Sequence, residues 1–334
     1  MISKPTLDTV AAEAGVSRAT VSRVINGSPR VSPEVKVAVE TAIAALGYVP
    51  NRAARSLAMR RTDSIALVMR EPDATVLNDP YLGNIIIATS QTLIGTGVQL
   101  VLVNAQNTAE HAQLADYVRS GHVDGVLLAS MHDDDPLPRL LLEAGIPTVV
   151  GGRPSRPMPG LSYVDVDNVG GAQLAAERLL ASDRRRIATI AGPQDMTAGI
   201  DRLSGYRLAL SNTGRKADRV AYGDFTRESG QQAMTALLAR HPDLDAVFVA
   251  NDLMAIGALR SLRDAGRRVP DDVAVVGYDD IDMARHTEPP LTTIHQPIVD
   301  QARTMTELLL TQIGGDPVAD PVVLPTVLVE RESA

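Results

Sequence analysis

The 334-residue sequence contains no cysteine and no tryptophan, and aromatic residues make up only 3% of it. Without cysteine there is no disulfide, no thiolate metal site and no cysteine nucleophile. The chain has no run of about 18 apolar residues, the length that a membrane-spanning helix needs. Its first residues, MISKPTLD, lack the apolar core of a secretory signal. We therefore predict a cytoplasmic protein.

The common catalytic and nucleotide-binding motifs are absent as well. The sequence contains no GxxxxGK[ST], HExxH or GxSxG motif and no dinucleotide-binding fingerprint. The run His132–Asp135 places one histidine beside three aspartates, which is more typical of a solvated turn or a helix cap than of a metal site. We predict that the chain is not an enzyme and that it holds no cofactor and no metal.

Charge is distributed unevenly along the chain. Residues 1–61 carry a net charge of +5, whereas the remaining residues carry −13 of the total of −8. A basic head on an acidic body is expected where only the head meets a polyanion. Solvated arginines on helix surfaces would give the same count, so charge alone leaves both interpretations open.

Residues 6–26 predict two short helices joined by a turn at Gly15. Thr6 and Ser17 are suited to cap these helices, and the apolar residues of the second helix recur at spacings of three and four. The opposite face of this helix carries Arg18, Ala19, Ser22, Arg23 and Asn26. Arginine can form two hydrogen bonds with guanine, and alanine can touch a thymine methyl group. The pattern favours a reader of the DNA major groove over a helical hairpin with a solvated face.

The rest of the chain predicts one more helix of the head and then a different architecture. A third helix is predicted between Ser32 and Gly47, and a short one within 48–61. From Ser64 onward, apolar β-branched runs alternate with amphipathic stretches in two successive series. This alternation indicates parallel sheets covered by helices on both faces. The predicted fold class is therefore α/β, with two doubly wound lobes behind a small all-α head.

Over nearly its whole length the chain resembles the lac repressor family of bacterial transcription regulators. The head carries this resemblance in TLDTVAAEAGVSRATVSRVIN and VSPEVKVAVETAIAALGYVPNRAARSLA. The body carries it in DVDNVGG (165–171), AGPQDMTAGIDRLSGYRLAL (191–210), VFVANDLMAIGALRSL (247–262), VAVVGYDDIDMARHTEPPLTTIHQP (273–297) and LVERES (328–333).

The resemblance implies a domain plan. It places a helix-turn-helix DNA-binding domain at 1–47, a linker with a hinge helix at 48–61, and a periplasmic-binding-protein-like body at 62–334. Within the body, the N-lobe is expected to comprise about 62–161 plus 292–319, and the C-lobe about 162–291 plus 320–334. The body is expected to bind a small effector between the lobes and to form the homodimer.

The resemblance also implies roles in DNA binding. Bases are expected to be read by Arg18, Ala19 and Arg23. Contacts with the DNA backbone are expected from Thr6, Ser17, Thr20, Ser22, Asn26 and Asn51. Ala54 and Leu57 are expected to enter the minor groove from the hinge helix, where a leucine wedge opens a base step and bends the duplex. Twofold symmetry of the protein predicts a pseudo-palindromic operator.

In the body, the resemblance implies an effector site. Arg202, Asn251 and Asp279 match effector-contacting positions, and each follows or ends a predicted strand, where open α/β sheets bind ligands. Phe225 matches an aromatic platform of sugar-binding relatives, and Tyr81 is expected to close the other side. Each of these side chains also has a structural alternative, such as a salt bridge for Arg202 or a core position for Phe225.

One departure from the family pattern affects the expected ligand. Gly151-Gly152 occupies a strand end where several sugar-binding relatives carry an acidic residue. The prediction is a repressor controlled by a sugar or sugar derivative. A corepressor-dependent regulator that responds to a purine or another metabolite is the alternative. A solute-binding protein would share the body, but it would need an export signal and no DNA-binding head.

Overall fold

The computed structural model describes residues 5–25, 28, 30–48, 61–133 and 135–334. It divides the chain into two compact units, one ending at Asp63 and the other beginning at Ser64. Most of the predicted linker at 48–61 lies outside the described residues. Four of the residues with predicted DNA contacts also lie outside the described residues, namely Asn26, Asn51, Ala54 and Leu57.

The described part of the first unit contains the three predicted helices. They are α1 (Leu7–Glu13), α2 (Arg18–Ile25) and α3 (Pro33–Leu46). Gly15 takes a φ of 65° in the turn between α1 and α2, a conformation that glycine adopts without strain. Each helix contributes one fully buried valine to a small common core, namely Val10, Val21 and Val39.

The second unit alternates strands and helices. Its first half comprises β1 (Ser64–Met69), α4 (Asp73–Asn78), α5 (Pro80–Thr92), β2 (Gln99–Asn104), α6 (Thr108–Arg119), β3 (Gly125–Ala129), α7 (Leu137–Glu143), β4 (Thr148–Gly151) and β5 (Ser162–Val166). Its second half comprises α8 (Asn168–Ala181), β6 (Ile187–Ala191), α9 (Thr197–Asn212), β7 (Val220–Tyr222), α10 (Arg227–Arg240), β8 (Ala246–Val249), α11 (Asp252–Asp264), β9 (Ala274–Val276), a 3-10 helix (Asp282–His286), β10 (Thr293–His295), α12 (Ile298–Gly314), β11 (Val322–Leu324) and β12 (Val327–Val329).

The first sheet has six parallel strands in the order β11-β5-β4-β3-β1-β2. Alternate residues of a strand face opposite sides. Ile65 and Leu67 of β1 therefore pack with α5 and α12, whereas Ala66 and Val68 pack with α6 and α7. Helices on both faces explain why the central strands read as continuous apolar runs in the sequence. We call this sheet with its helices the N-lobe.

The second sheet has four parallel strands in the order β7-β6-β8-β9. Helices α8 and α9 cover one face, and α10 and α11 cover the other. Tyr206 of α9 is fully buried against the sheet, and its hydroxyl donates to the carbonyl oxygen of Ile187 at 3.0 Å. We call this sheet with its helices the C-lobe.

The chain crosses between the lobes at three places, from β5 to α8, from β10 to α12, and from β11 to β12. Strands β10 and β12 pair with each other in antiparallel fashion. Ile294 of β10 and Leu328 of β12 pack into the C-lobe core. Chain connections at a few such places allow two rigid lobes to close on each other by a hinge motion.

Strand pairing differs from the predicted lobe bounds at three strands. β5 and β11, which we expected in the C-lobe, pair within the N-lobe sheet. β10, which we expected in the N-lobe, packs in the C-lobe. The sequence does not predict β5 because the segment SYVDV places Tyr163 and Asp165 in the strand and so lacks an apolar run. The correction has a consequence for function, because Asp165 reaches the space between the lobes.

Candidate functional site

A cavity that is open to solvent lies between the carboxyl ends of the strands of both lobes. Open α/β sheets bind ligands at this edge. The structure brings all five predicted effector residues to the lining of this cavity, namely Tyr81, Arg202, Phe225, Asn251 and Asp279.

Arg202 lies at the centre of the C-lobe wall and is only 4% exposed. Its Nε donates to Oδ1 of Asn168 at 2.9 Å, and its Nη1 donates to the carbonyl oxygen of Ala250 at 2.7 Å and to Oδ1 of Asp279 at 3.1 Å. Its Nη2 donates to Oε1 of Gln296 at 3.3 Å. A guanidinium has five N–H groups, so these contacts leave one Nη2 hydrogen for a ligand.

Two aromatic rings face the same guanidinium. The Arg202 Cζ atom lies 3.7 Å from the ring centre of Tyr278 and 5.8 Å from that of Phe225. Both distances are within the range of cation–π attraction. Tyr278 is fully buried, whereas Phe225 lines the cavity. The buried Tyr278 ring therefore packs against the guanidinium, and the Phe225 ring can contact a ligand in the cavity.

Asp279 lies on a loop with an unusual backbone. Asp279 and Asp280 have φ values of 111° and 60°, and consecutive non-glycine residues in this region persist only where the surroundings hold them. Gln296 Nε2 donates to Asp279 Oδ1 at 2.8 Å, and Arg331 Nη2 donates to Asp280 Oδ1 at 2.5 Å. Burial raises the pKa of the Asp279 carboxyl to about 7, and Arg202 opposes this rise.

Asn251 and Phe225 are coupled to each other. Asn251 caps α11, since its Oδ1 accepts from the amide of Met254 at 2.9 Å, and its Nδ2 donates to the carbonyl oxygen of Phe225 at 3.0 Å. Phe225 has a φ of 68°, and its ring lies so close to Gly192 that a Cβ atom there would stand 2.5 Å from the ring. Asn251 thus holds the loop that presents the Phe225 ring.

Tyr81 lies on the N-lobe wall. Its hydroxyl donates to Oε1 of Gln301 at a long 3.4 Å, and Gln301 Nε2 donates to the carbonyl oxygen of Val164 at 2.9 Å. Asp79 caps α5 beside it, accepting from the amide of Tyr81 at 2.9 Å. Burial raises the pKa of the Asp79 carboxyl to about 6 in spite of that bond, and the nearby Glu71 adds to the rise.

Sequence reasoning missed several polar side chains that line the cavity, namely Glu71, Asp79, Asp165, Asn168, Gln296 and Gln301. Glu71 comes shortly after a predicted strand, and Asp165 with Asn168 lies in the quoted segment DVDNVGG. These three residues could therefore have been predicted from their positions in the sequence. Gly151 lines the cavity without a carboxylate, and the acidic groups of this wall come from Glu71, Asp79 and Asp165 instead.

His132 connects the two lobes. It follows β3 in the N-lobe, and its Nδ1 lies 2.7 Å from Oδ2 of Asp195, which follows β6 in the C-lobe. Its Nε2 lies 3.5 Å from Oε1 of Glu71. Hydrogen bonding to Glu71, joined by that to Asp195, raises the pKa of His132 to about 9 against the effect of burial. The His132 side chain is thus partly buried and paired, whereas Oδ1 of Asp135 accepts from the amide of Leu137, the first residue of α7.

Arg153 forms a second connection between the lobes. It follows β4, and its Nε and Nη2 donate to the two carboxylate oxygens of Asp201 on α9, both at 2.6 Å. Thr197, at the start of α9, donates to the carbonyl oxygen of Arg153 at 2.9 Å. Bidentate arginine–carboxylate pairs of this kind are among the strongest charge-assisted hydrogen bonds in proteins.

The surface of α2 presents the predicted base-reading residues to solvent. Arg18, Ala19 and Arg23 are exposed, and so is Ser17. The Ser17 hydroxyl accepts from the amide of Thr20 at 3.1 Å, as a helix cap does. Of the other predicted backbone contacts, Thr6 is exposed and caps α1, while Thr20 and Ser22 are half-buried.

Residues 6–51 match the bacterial regulatory proteins of the lacI family, and residues 176–334 match the periplasmic binding protein-like domain. The HTH-type transcriptional regulator CelR of Thermobifida fusca is 54% identical over 99% of this chain and 98% of its own length. The chain belongs to the lacI family. A solved CelR–cellobiose complex shares 52% identity with this family member at a TM-score of 0.79, covering 99% of this chain and all of the other. A lac repressor dimer bound to operator and the anti-inducer ONPF shares 28% identity at a TM-score of 0.84, covering 99% of both chains.

Membership of the lacI family confirms the predicted fold class, a helix-turn-helix head with a periplasmic-binding-protein-like α/β body. It also confirms the predicted general function. The protein is a bacterial DNA-binding regulator of transcription, and its relatives are regulators rather than enzymes. Among the residues that the structure describes, no helix is both long enough and apolar enough to cross a membrane.

Proposed function

We propose that this protein is a homodimeric repressor that binds a pseudo-palindromic operator and is controlled by an uncharged sugar in the cavity between its lobes. The observation that carries the proposal is the cavity lining. The Phe225 ring offers an apolar face, and carboxylates and side-chain amides surround it. This combination suits a sugar ring, whose C–H face packs on an aromatic ring while its hydroxyls donate to carboxylates.

The charges of the lining support a neutral ligand. The cavity holds one guanidinium, that of Arg202, which is already paired with Asp279. Glu71, Asp79 and Asp165 line the same space, and within the described residues only His132 forms an ion pair with any of these three. A phosphate would meet this excess of negative charge without a free cation, and like charges repel strongly in a partly desolvated site. Sugar phosphates and nucleotides are therefore disfavoured.

The relatives support a disaccharide. The solved structure of the regulator at 52% identity is a complex with cellobiose. Cellobiose is the first ligand to test. A purine, the alternative raised by the sequence, would also stack on Phe225, so nucleobases belong in the same panel.

The DNA-binding roles are proposals of the same kind. Base reading is assigned to Arg18, Ala19 and Arg23, backbone contacts to Thr6, Ser17, Thr20, Ser22, Asn26 and Asn51, and minor-groove insertion to Ala54 and Leu57. The lac repressor dimer bound to operator supports this arrangement and its twofold symmetry. A regulator of this kind acts on the chromosome, so we place it in the cytoplasm and assign it no catalytic activity.

Binding of the effector is tested by calorimetry and thermal shift with cellobiose, glucose, glucose 6-phosphate and hypoxanthine. Cellobiose is expected to bind and to stabilise the body, since a ligand at 100 times its Kd adds about 2.7 kcal/mol. Addition of cellobiose is expected to weaken operator binding in a mobility-shift assay. Binding of glucose 6-phosphate or hypoxanthine in place of cellobiose would overturn the proposed ligand class.

DNA reading is tested with Arg18→Ala on an operator selected from random DNA. Arginine to guanine contacts carry about 1–3 kcal/mol of discrimination, so the variant should lose operator preference and keep weak, salt-sensitive binding. Lys36→Ala removes the same charge from an exposed position of α3 and is the matched control. An equal loss of affinity on operator and random DNA with Arg18→Ala would contradict base reading by this residue.

A further inference from the structure

Two ion pairs join the lobes beside the cavity, and the proposed function makes no use of them. Arg153 of the N-lobe binds Asp201 of the C-lobe through two hydrogen bonds of 2.6 Å. His132 of the N-lobe lies 2.7 Å from Asp195 of the C-lobe. None of these four side chains lines the cavity. We call them the interlobe pairs.

Each partner lies next to residues that do line the cavity. Arg153 follows Gly151 and Gly152, Asp201 immediately precedes Arg202, and Asp195 precedes Met196. The separation between the two members of each pair therefore sets the separation of the two cavity walls. One ligand can contact both walls at the same time only when the walls lie at a particular distance from each other.

The Arg153–Asp201 pair differs from an ordinary surface ion pair. The Asp201 side chain is 13% exposed and that of Arg153 is 35% exposed, so solvent screens this pair less than it screens a fully exposed one. The Arg153 backbone is held as well, since Thr197 donates to its carbonyl oxygen at 2.9 Å. His132 is fixed from two sides, by Asp195 across the cleft and by Glu71 within its own lobe.

We propose that Arg153–Asp201 and His132–Asp195 are positioning pairs, which hold the lobes at the spacing where one ligand contacts both walls. The identity of the ligand in this inference rests on the proposed function, whereas the role of the pairs in lobe spacing rests on their geometry. The pairs add to ligand affinity without touching the ligand. By the same coupling, a bound ligand favours formation of the pairs.

The first test is a charge swap, read as cellobiose affinity of the full chain by calorimetry. Arg153→Asp alone and Asp201→Arg alone each place two like charges across the cleft, and each is expected to weaken binding by about tenfold or more. The double variant restores the opposite charges and is expected to return to within about threefold of the parent. Arg139→Gln breaks an arginine–glutamate pair that lies within α7, and this matched control should bind like the parent.

The second test measures the spacing of the lobes directly. Because the chain has no cysteine, two spin labels can be attached through Ser120→Cys in the N-lobe and Ser211→Cys in the C-lobe, both exposed positions. Pulsed electron resonance then gives the distance between the labels. The single-swap variants are expected to show longer and broader distances than the parent, and the double swap is expected to restore them.

The outcomes separate this inference from the proposed function. Failure of cellobiose to bind the parent protein would count against the proposed ligand, while the label distances without ligand would still decide whether the pairs hold the lobes. Distances and affinities in the single-swap variants that equal those of the parent would overturn the positioning role. A general loss of stability would lower the unfolding temperature of the double variant too, and would leave its affinity unrestored.

Discussion

The two walls of the cavity are built in different ways. On the C-lobe wall, Arg202 and Asp279 are almost fully buried and are bonded to each other and to Gln296 before any ligand is present. On the N-lobe wall, Tyr81 and Asp79 are half-buried and have few partners, the longest contact being 3.4 Å. We propose that the preorganised C-lobe wall receives the ligand. The N-lobe wall then completes the site as the lobes close.

Preorganisation predicts that the largest single effect comes from Arg202→Ala. The substitution leaves the Asp279 carboxylate buried without its cation, and breaking a buried pair costs about 3–5 kcal/mol. We expect a lower unfolding temperature of the body, no detectable ligand binding and no ligand effect on operator affinity. Thermal unfolding and calorimetry measure these changes.

The double variant Arg202→Met with Asp279→Asn separates stability from binding. Removal of both charges should restore most of the stability, because the uncompensated carboxylate is gone. Ligand binding should stay lost, since both proposed polar contacts are absent. Normal ligand binding in Arg202→Ala would show that the C-lobe wall is not the receiving surface.

The same contrast between walls limits what the sequence predicts. Arg202, Asn251 and Asp279 lie in continuous segments that resemble the family, and each stands at or after the end of a strand, so the sequence predicts these three residues of the C-lobe wall. The eight strands with continuous apolar runs follow as well, because such runs record burial on both faces of a sheet, whereas β5, β10, β11 and β12 are not predicted.

The N-lobe wall and the interlobe contacts depend on long-range geometry that periodicity does not encode. Asp79 has the pattern of a simple helix cap, and its place in the cavity depends on how α5 meets the cleft. Asp165 lies in a strand too polar to be recognised. His132 pairs with Asp195, which is 63 positions away in the chain, so its role becomes visible only when the two lobes are placed side by side.

The second largest effect is expected for Phe225→Ala, which removes the aromatic face of the C-lobe wall. Aromatic contacts contribute about 0.5–1.5 kcal/mol beyond the apolar area that they bury, and the loss of that buried area adds to this, so we expect sugar affinity to fall about 10- to 30-fold. The backbone should hold, because Asn251 bonds to the carbonyl oxygen of residue 225 and not to its ring. Tyr222→Ala removes a half-exposed aromatic three residues earlier and should bind sugar normally. Equal affinity of the Phe225→Ala variant and the parent would place the ligand elsewhere in the cavity.

Asp79→Asn on the N-lobe wall is expected to have an intermediate effect, raising the stability of the protein and lowering its affinity for the ligand. Burial raises the pKa of Asp79 to about 6, so the folded state binds its proton more tightly than the unfolded state. The parent therefore loses stability as the pH rises from about 4 to about 6, when the unfolded carboxyl ionises first. Asparagine keeps the helix cap without the buried charge.

The Asp79→Asn variant should accordingly be more stable than the parent at pH 7, by up to roughly 3 kcal/mol for a pKa difference of about two units, and the difference should vanish below about pH 4. Ligand affinity should change in the other direction, since a carboxylate accepts hydroxyl hydrogen bonds more strongly than an amide does. Thermal unfolding across this pH range and calorimetry at pH 7 measure the two effects. A variant that binds sugar as tightly as the parent would leave Asp79 a cap only.

The smallest effect is expected for Tyr81→Phe, and it sharpens the comparison most. Among the described residues, the Tyr81 hydroxyl donates to Gln301 alone, at 3.4 Å, a distance at which a hydrogen bond is weak, while the ring itself lines the cavity. If the N-lobe wall acts mainly by covering the ligand, loss of the hydroxyl should change sugar affinity less than about threefold, whereas Tyr81→Ala should cost about tenfold because it removes the cover itself. Tyr117→Phe, on the N-lobe surface outside the cavity, controls for the general effect of losing a hydroxyl. A tenfold loss with Tyr81→Phe would instead make this hydroxyl a direct ligand contact, and the two walls would then be alike in how they bind.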